Sequence, residues 1–118
     1  MPLTLYGIPS CDTVKKARAW LAAAGIAHAF HDYKKAGLDT GTLDAWIDEV
    51  GWEALVNRSG TTFRALPEAQ KSDLDAPRAA GLMLAQPSMI RRPILVGAGP
   101  LRLGFKPEAY ATLFAGQA

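Results

Sequence analysis

The chain has 118 residues, 49% of them hydrophobic and 20% charged, which is one domain's worth of ordinary globular composition. Lys+Arg 13 against Asp+Glu 11 gives a net charge of +2, too small a surplus to argue for direct nucleic-acid binding. No uncharged apolar run approaches the ~18–20 residues of a membrane helix, and the single cysteine excludes an internal disulfide, a four-thiolate zinc site and a Cys-x-x-Cys redox pair.

Residues 3–8 read as a short strand with Leu3, Leu5 and Gly7 on one face. Pro9-Ser10 breaks it, and a helix begins at Cys11 or Asp12, with Val14, Ala17, Leu21 and Ala24 as its core-facing stripe. Gly25 ends that helix, and a second strand is predicted over about Ile26–Tyr33. Lys34-Lys35 reads as a solvated turn. Asp39 caps a helix whose buried stripe is Leu43, Trp46, Ile47 and Val50, stopped by Gly51. Trp52–Asn57 reads as another short helical turn, and residues 59–62 as a loop. Leu66-Pro67-Glu68 opens a short helix, and Asp75-Ala76-Pro77 opens the next, which must finish near Gln86-Pro87. Ile94–Val96 and Leu101–Phe105 form a hairpin across Gly97-Ala98-Gly99-Pro100, and Pro107 starts a last helix with Tyr110, Leu113 and Phe114 inward. The pattern is βαβ, a helical insertion over about residues 39–86, then ββα: a single α/β domain on a mixed sheet of four strands.

Cys11 carries the sharpest chemistry. It follows a strand and a Pro-Ser turn and stands at the first turn of a helix, where unsatisfied N–H groups and the macrodipole favour an anion. A thiolate there has a lowered pKa, and the thiolate is the nucleophile. Lys15, one turn along, adds positive charge, while Asp12 opposes ionisation unless it turns outward. A free cysteine can also be no more than a small buried hydrophobe, but this position favours function. Arg58, Arg91 and Arg92 are the second constellation, since guanidinium forks hold carboxylates and oxyanions bidentately. Taken singly, each is also an ordinary surface arginine. His28 and His31, three apart on a strand, face opposite ways and make no metal site. Trp20, Trp46 and Trp52 fit packing positions rather than a stacking platform. Gly97 and Gly99 lack the spacing of a phosphate loop.

Four stretches together resemble the arsenate reductase (ArsC)/Spx family, and its YffB-like branch in particular. They are Tyr6-Gly7-Ile8-Pro9-Ser10-Cys11-Asp12-Thr13-Val14-Lys15-Lys16-Ala17-Arg18, Asn57-Arg58 with Thr61-Thr62-Phe63-Arg64, Gln86-Pro87-Ser88-Met89-Ile90-Arg91-Arg92-Pro93, and Gly104-Phe105-Lys106-Pro107-Glu108. The resemblance runs through the whole chain in order. It implies a thioredoxin-like fold with a helical insertion. It places the family's nucleophilic cysteine on Cys11, two of three anion-binding arginines on Arg58 and Arg92, and the third on Lys106, which keeps the charge without the fork. The arsenate reductases' histidine before the nucleophile falls on Gly7, their arginine four residues after it on Lys15, and the second cysteine of the Spx switch on Val14. The fold further implies a cis-proline facing the nucleophile at Pro93, with Arg92 aimed at the sulfur.

The first reading is a thiol oxidoreductase of the cytoplasm, the compartment expected for a chain whose Met1–Gly7 shows no signal-peptide pattern. It forms a mixed disulfide between Cys11 and glutathione, with Lys15, Arg58, Arg92, Pro93 and Lys106 holding the substrate thiol. It has no bound cofactor or metal; glutathione is the co-substrate, and glutaredoxin a further partner. It works as a monomer, away from membranes and nucleic acid. The second reading is an arsenate reductase coupled to glutathione or glutaredoxin. The third is a Spx-like module that docks on RNA polymerase without chemistry.

Overall fold

The computed structural model describes residues 3–58, 60–72 and 74–115, which fall into two compact units. The first takes the described residues up to Asp32 and from Arg92 onward; the second is Tyr33–Arg91.

In the first unit β1 (Thr4–Gly7) lies parallel to β2 (Ala29–Asp32) and antiparallel to β3 (Ile94–Val96), which pairs antiparallel with β4 (Arg102–Leu103). The sheet is mixed and four-stranded, as expected, and its order is β2-β1-β3-β4. Leu5 and Leu95 are cross-strand partners, so they point to one face, where Ala17 and Leu21 of α1 (Asp12–Ala23) meet Tyr110 and Phe114 around the C-terminal helix. Trp20 and Phe105 complete this cluster, their rings edge-on to Tyr110 at centroid distances of 5.6 and 4.7 Å. Such edge-to-face contacts suit the ring quadrupoles.

Besides shorter strands at β1 and at β4, which covers only Arg102–Leu103 of the expected Leu101–Phe105, two boundaries in this unit differ for a clear reason. The second strand starts at Ala29, not Ile26, because α1 ends in a Schellman motif. Gly25, at φ 72°, donates to the Ala22 carbonyl at 3.1 Å and Ile26 donates to that of Leu21 at 3.0 Å. The Ile26 N–H is thus committed to the cap, and the ladder opens only where Ala29 donates to the Leu3 carbonyl at 2.8 Å. Ala24 belongs to the same cap and is exposed, so the buried stripe of α1 is Val14, Ala17 and Leu21.

The second unit is helical. It comprises α2 (Tyr33–Ala36), α3 (Thr40–Val50), α4 (Trp52–Leu55), α5 (Thr61–Arg64), α6 (Glu68–Lys71), α7 (Ala76–Ala85) and a 3₁₀ turn at Pro87–Met89. Asp39 and Asp75 cap α3 and α7 as expected, accepting from Thr42 N–H at 3.3 Å and Arg78 N–H at 3.0 Å. Tyr33 leaves the strand to begin α2, which also takes in Lys34 and Lys35, and its buried hydroxyl donates to the Ile90 carbonyl at 3.0 Å. Of the stripe on α3, Leu43 and Trp46 are buried, while Ile47 and Val50 are half-buried. The stretch expected as a loop instead opens a helix at Thr61: Gly60 accepts from Arg64 N–H at 3.1 Å, and Thr62 Oγ1 meets Ser88 Oγ at 3.1 Å. Ser59 lies outside the described residues. A bridge between Val56 and Ile90 ties the end of α4 to the 3₁₀ turn.

The last helix, α8 (Pro107–Leu113), returns to the first unit. No helix among the described residues is long and apolar enough to cross a membrane.

Candidate active site around Cys11

Sheet topology decides which residues meet Cys11. Ile94 pairs with Tyr6, so the residues just before β3 run beside the residues just after β1, where α1 begins. Arg92 and Pro93 therefore come to the Cys11 end of the sheet although some eighty positions separate them in sequence. The Arg92-Pro93 peptide is cis, as the resemblance implies, and Pro93 is buried, its carbonyl accepting from Gly104 N–H at 2.8 Å. Leu103 pairs with Ile94, which carries the chain leading to Lys106 to the same end of the sheet.

Cys11 is the N-cap of α1, with extended backbone (φ −76°, ψ 127°). Its N–H donates to the Ile8 carbonyl at 3.0 Å, closing the Pro9-Ser10 turn, and its carbonyl accepts from Lys15 N–H at 2.9 Å. The N-cap side chain is the group that faces the second and third amides of a helix, here those of Thr13 and Val14. Cys11 brings a sulfur to the place where serine would bring an oxygen. The thiol makes no formed capping bond, yet both amides act on it. Partial burial pushes the Cys11 pKa up, but the Val14 amide, a hydrogen bond from the Arg92 side chain, the Thr13 amide and the Arg92 charge outweigh it, and the net shift is downward. The sulfur is half-buried, so an incoming sulfur or oxyanion can reach it.

The structure thus joins Cys11, Arg92 and Pro93. Lys15 and Asp12 are both exposed on α1. Arg92 supplies the positive charge from across the sheet. Lys106 is the exposed N-cap residue of α8. Arg58 belongs to the second unit, where its guanidinium lies over the Trp52 ring at 5.6 Å. Arg91 is exposed there, its backbone N–H donating to the Leu55 carbonyl at 2.7 Å. His31 stacks on Tyr6 at 5.0 Å across the β1–β2 pair, and His28 Nδ1 bonds the Ile26 carbonyl at 3.0 Å. The contribution of the Thr13 and Val14 amides was not singled out in the sequence; a cysteine placed two and three residues before them at an N-cap was the available signal.

A four-stranded thioredoxin-like sheet with a cysteine at the head of its first helix and an Arg-cis-Pro step beside it defines the class. The ArsC family model matches residues 6–113, and the chain belongs to that family. Among solved structures, a protein designated YffB is 55% identical, superimposes with a TM-score of 0.90, and is matched over 96% of this chain and 99% of its own. An arsenate reductase (ArsC) related protein from Brucella melitensis is 56% identical, with a TM-score of 0.78 over 98% of this chain and 96% of its own. The global transcriptional regulator Spx of Enterococcus faecalis is 30% identical over 108 residues, 90% of this chain and 81% of that protein.

Proposed function

We propose that the protein is a glutathione-dependent thiol oxidoreductase that works through one cysteine. The observation that carries this reading is the Cys11 sulfur held at a helix N-terminus beside Arg92, with its pKa lowered. The Cys11 thiolate attacks the glutathione sulfur of a substrate mixed disulfide. The substrate–glutathione S–S bond breaks, a Cys11–glutathione disulfide forms, and the substrate leaves as a thiolate that takes a proton from water. A second glutathione, as thiolate, then attacks the glutathione sulfur on Cys11. Glutathione disulfide departs and the Cys11 thiolate is regenerated. The substrate sulfur passes from disulfide to thiol and the sulfur of the incoming glutathione from thiol to disulfide, so the electrons balance. The lowered pKa serves both steps, since it populates the attacking thiolate in the first and makes Cys11 the better leaving group in the second. A resolving thiol must come from outside, because the chain has no second cysteine.

In this reading Arg92, Lys106 and Lys15 attract the carboxylates of glutathione. The backbone around Pro93 pairs with its peptide-like chain. The reaction belongs in the reducing cytoplasm, where free glutathione is abundant. Intact-mass spectrometry after exposure to oxidised glutathione should show one adduct on the wild-type chain and none on Cys11→Ser, and reduced glutathione should remove it. Absence of the adduct, or an adduct that reduced glutathione leaves in place, overturns the proposal.

The relation to an arsenate reductase related protein favours a second reading in which the same thiolate attacks an oxyanion. Arsenite production with glutathione and glutaredoxin present separates the two.

A further inference from the structure

The head of α1 sits unusually close to the strand it follows. Gly7, the last residue of β1, is buried, and a Cβ built on it would lie 2.7 Å from Val14 Cγ2 and 3.1 Å from Cγ1. Real Cβ atoms essentially never approach that closely, so the glycine is there because the valine occupies the space. Val14 has 0% exposure and stands at the third position of the helix. Its branched side chain is confined to one dominant rotamer on a helix, so it cannot swing aside as a leucine or methionine could. A rigid side chain seated directly on a bare backbone fixes how near the first turn of α1 can come to β1. The same residue supplies one of the two amides that face the Cys11 sulfur.

We infer that Gly7 and Val14 are positioning residues for Cys11: their direct contact sets the height of the first helical turn above β1, and with it the distance from the helix amides to the sulfur. Neither residue touches the reacting atoms through its side chain. The inference rests on the proposed role of Cys11 as a thiolate nucleophile, but its test does not use glutathione.

The measurement is the pH midpoint of Cys11 alkylation by iodoacetamide, followed by intact mass, with circular dichroism to verify folding. Gly7→Ala should lift the turn and raise the midpoint toward the ~8.5 of a free thiol. Val14→Ala removes the brace and should raise it as well, by about half a unit or more, or roughly a threefold loss of thiolate near neutral pH. The Gly7→Ala/Val14→Ala double variant restores a contact across the gap and should bring the midpoint back toward wild type. A merely structural contact would lower stability in each single variant without moving the midpoint. Unmoved midpoints in folded single variants, or a double variant no closer to wild type than its parents, overturn the inference. If Gly7→Ala does not fold, Val14→Ala and the double variant decide by the same criterion. Failure of glutathione to turn over overturns the proposed reaction and leaves this comparison intact.

Discussion

At the Cys11 sulfur, two kinds of positive potential meet. Helix amides act from below through the chain's own N-cap geometry, and Arg92 acts from across the sheet. The arginine adds a full charge to a field otherwise made of partial ones, so its removal should be measurable at the thiol. Arg92→Ala should raise the alkylation midpoint of Cys11 and slow iodoacetamide modification at neutral pH about three- to tenfold. Arg92→Lys should recover part of that loss, since a point charge remains but the planar fork does not. Lys106→Ala, by contrast, should weaken glutathione use, read as a raised KM, while leaving the Cys11 midpoint and the circular dichroism spectrum unchanged; an unaltered KM would place the anion groove elsewhere. Cys11 and the Arg92-Pro93 step were legible in sequence because each is a short, chemically distinctive string. The residues alone display Lys15, a neighbour along the helix, and it took the family resemblance to aim Arg92 at the sulfur from across the sheet. Only the register of β1 with β3 brings Arg92 to the sulfur.

The elements whose ends carry their own chemistry were the readable ones. Asp39 and Asp75 accept from the amide three residues on in each case, and Pro77 is preset for the first turn. Asp75→Ala should cost about 1 kcal/mol of stability, measured by urea denaturation, with Asp75→Ser recovering most of it. The misread elements share a cause, which is that tertiary contacts rather than propensity define them. Ile26 has strand-like neighbours but gives its N–H to the Schellman cap. The four-residue turn at Thr61–Arg64 contains two β-branched threonines and follows a glycine, a poor helical string held by buried Phe63 and the Thr62–Ser88 contact. Such short helices have no nucleus of their own to reveal.

For the molecule as a whole, a mixed sheet of four strands with a helical insertion was legible from the hydrophobic runs and the Gly-Pro hairpin, while the order of those strands and the division of the chain at Asp32 and Arg92 were not, since no local pattern marks them. Two titrating groups give the fold an opposed response to pH. The Cys11 pKa is lower in the folded chain, so the stability it contributes is lost as pH falls through that value and is fully present above the ordinary thiol range. Tyr110 is the reverse: burial pushes its phenol up to about 12, and its hydroxyl meets no hydrogen-bond partner among the described residues. Its contribution is present below about pH 10 and is lost as pH rises toward the folded value. Urea midpoints should therefore separate wild type from Cys11→Ser increasingly as pH rises toward the ordinary thiol range, and fall again in strongly alkaline buffer. Tyr110→Phe should blunt that alkaline fall. At neutral pH it should leave stability unchanged or raised by up to about 1 kcal/mol, since it removes a buried hydroxyl that pairs with nothing among the described residues.

The contact between Gly7 and Val14 also constrains how this active site could change over evolutionary time. A larger side chain at position 7, such as the histidine that the resemblance assigns to arsenate reductases, collides with the valine unless position 14 has already become smaller. A cysteine at position 14, as in the Spx switch, is one such smaller residue. Either change made alone disturbs the first helical turn under Cys11, so the two positions are expected to change together. Two positions that look independent in a sequence are thereby sterically coupled in the fold.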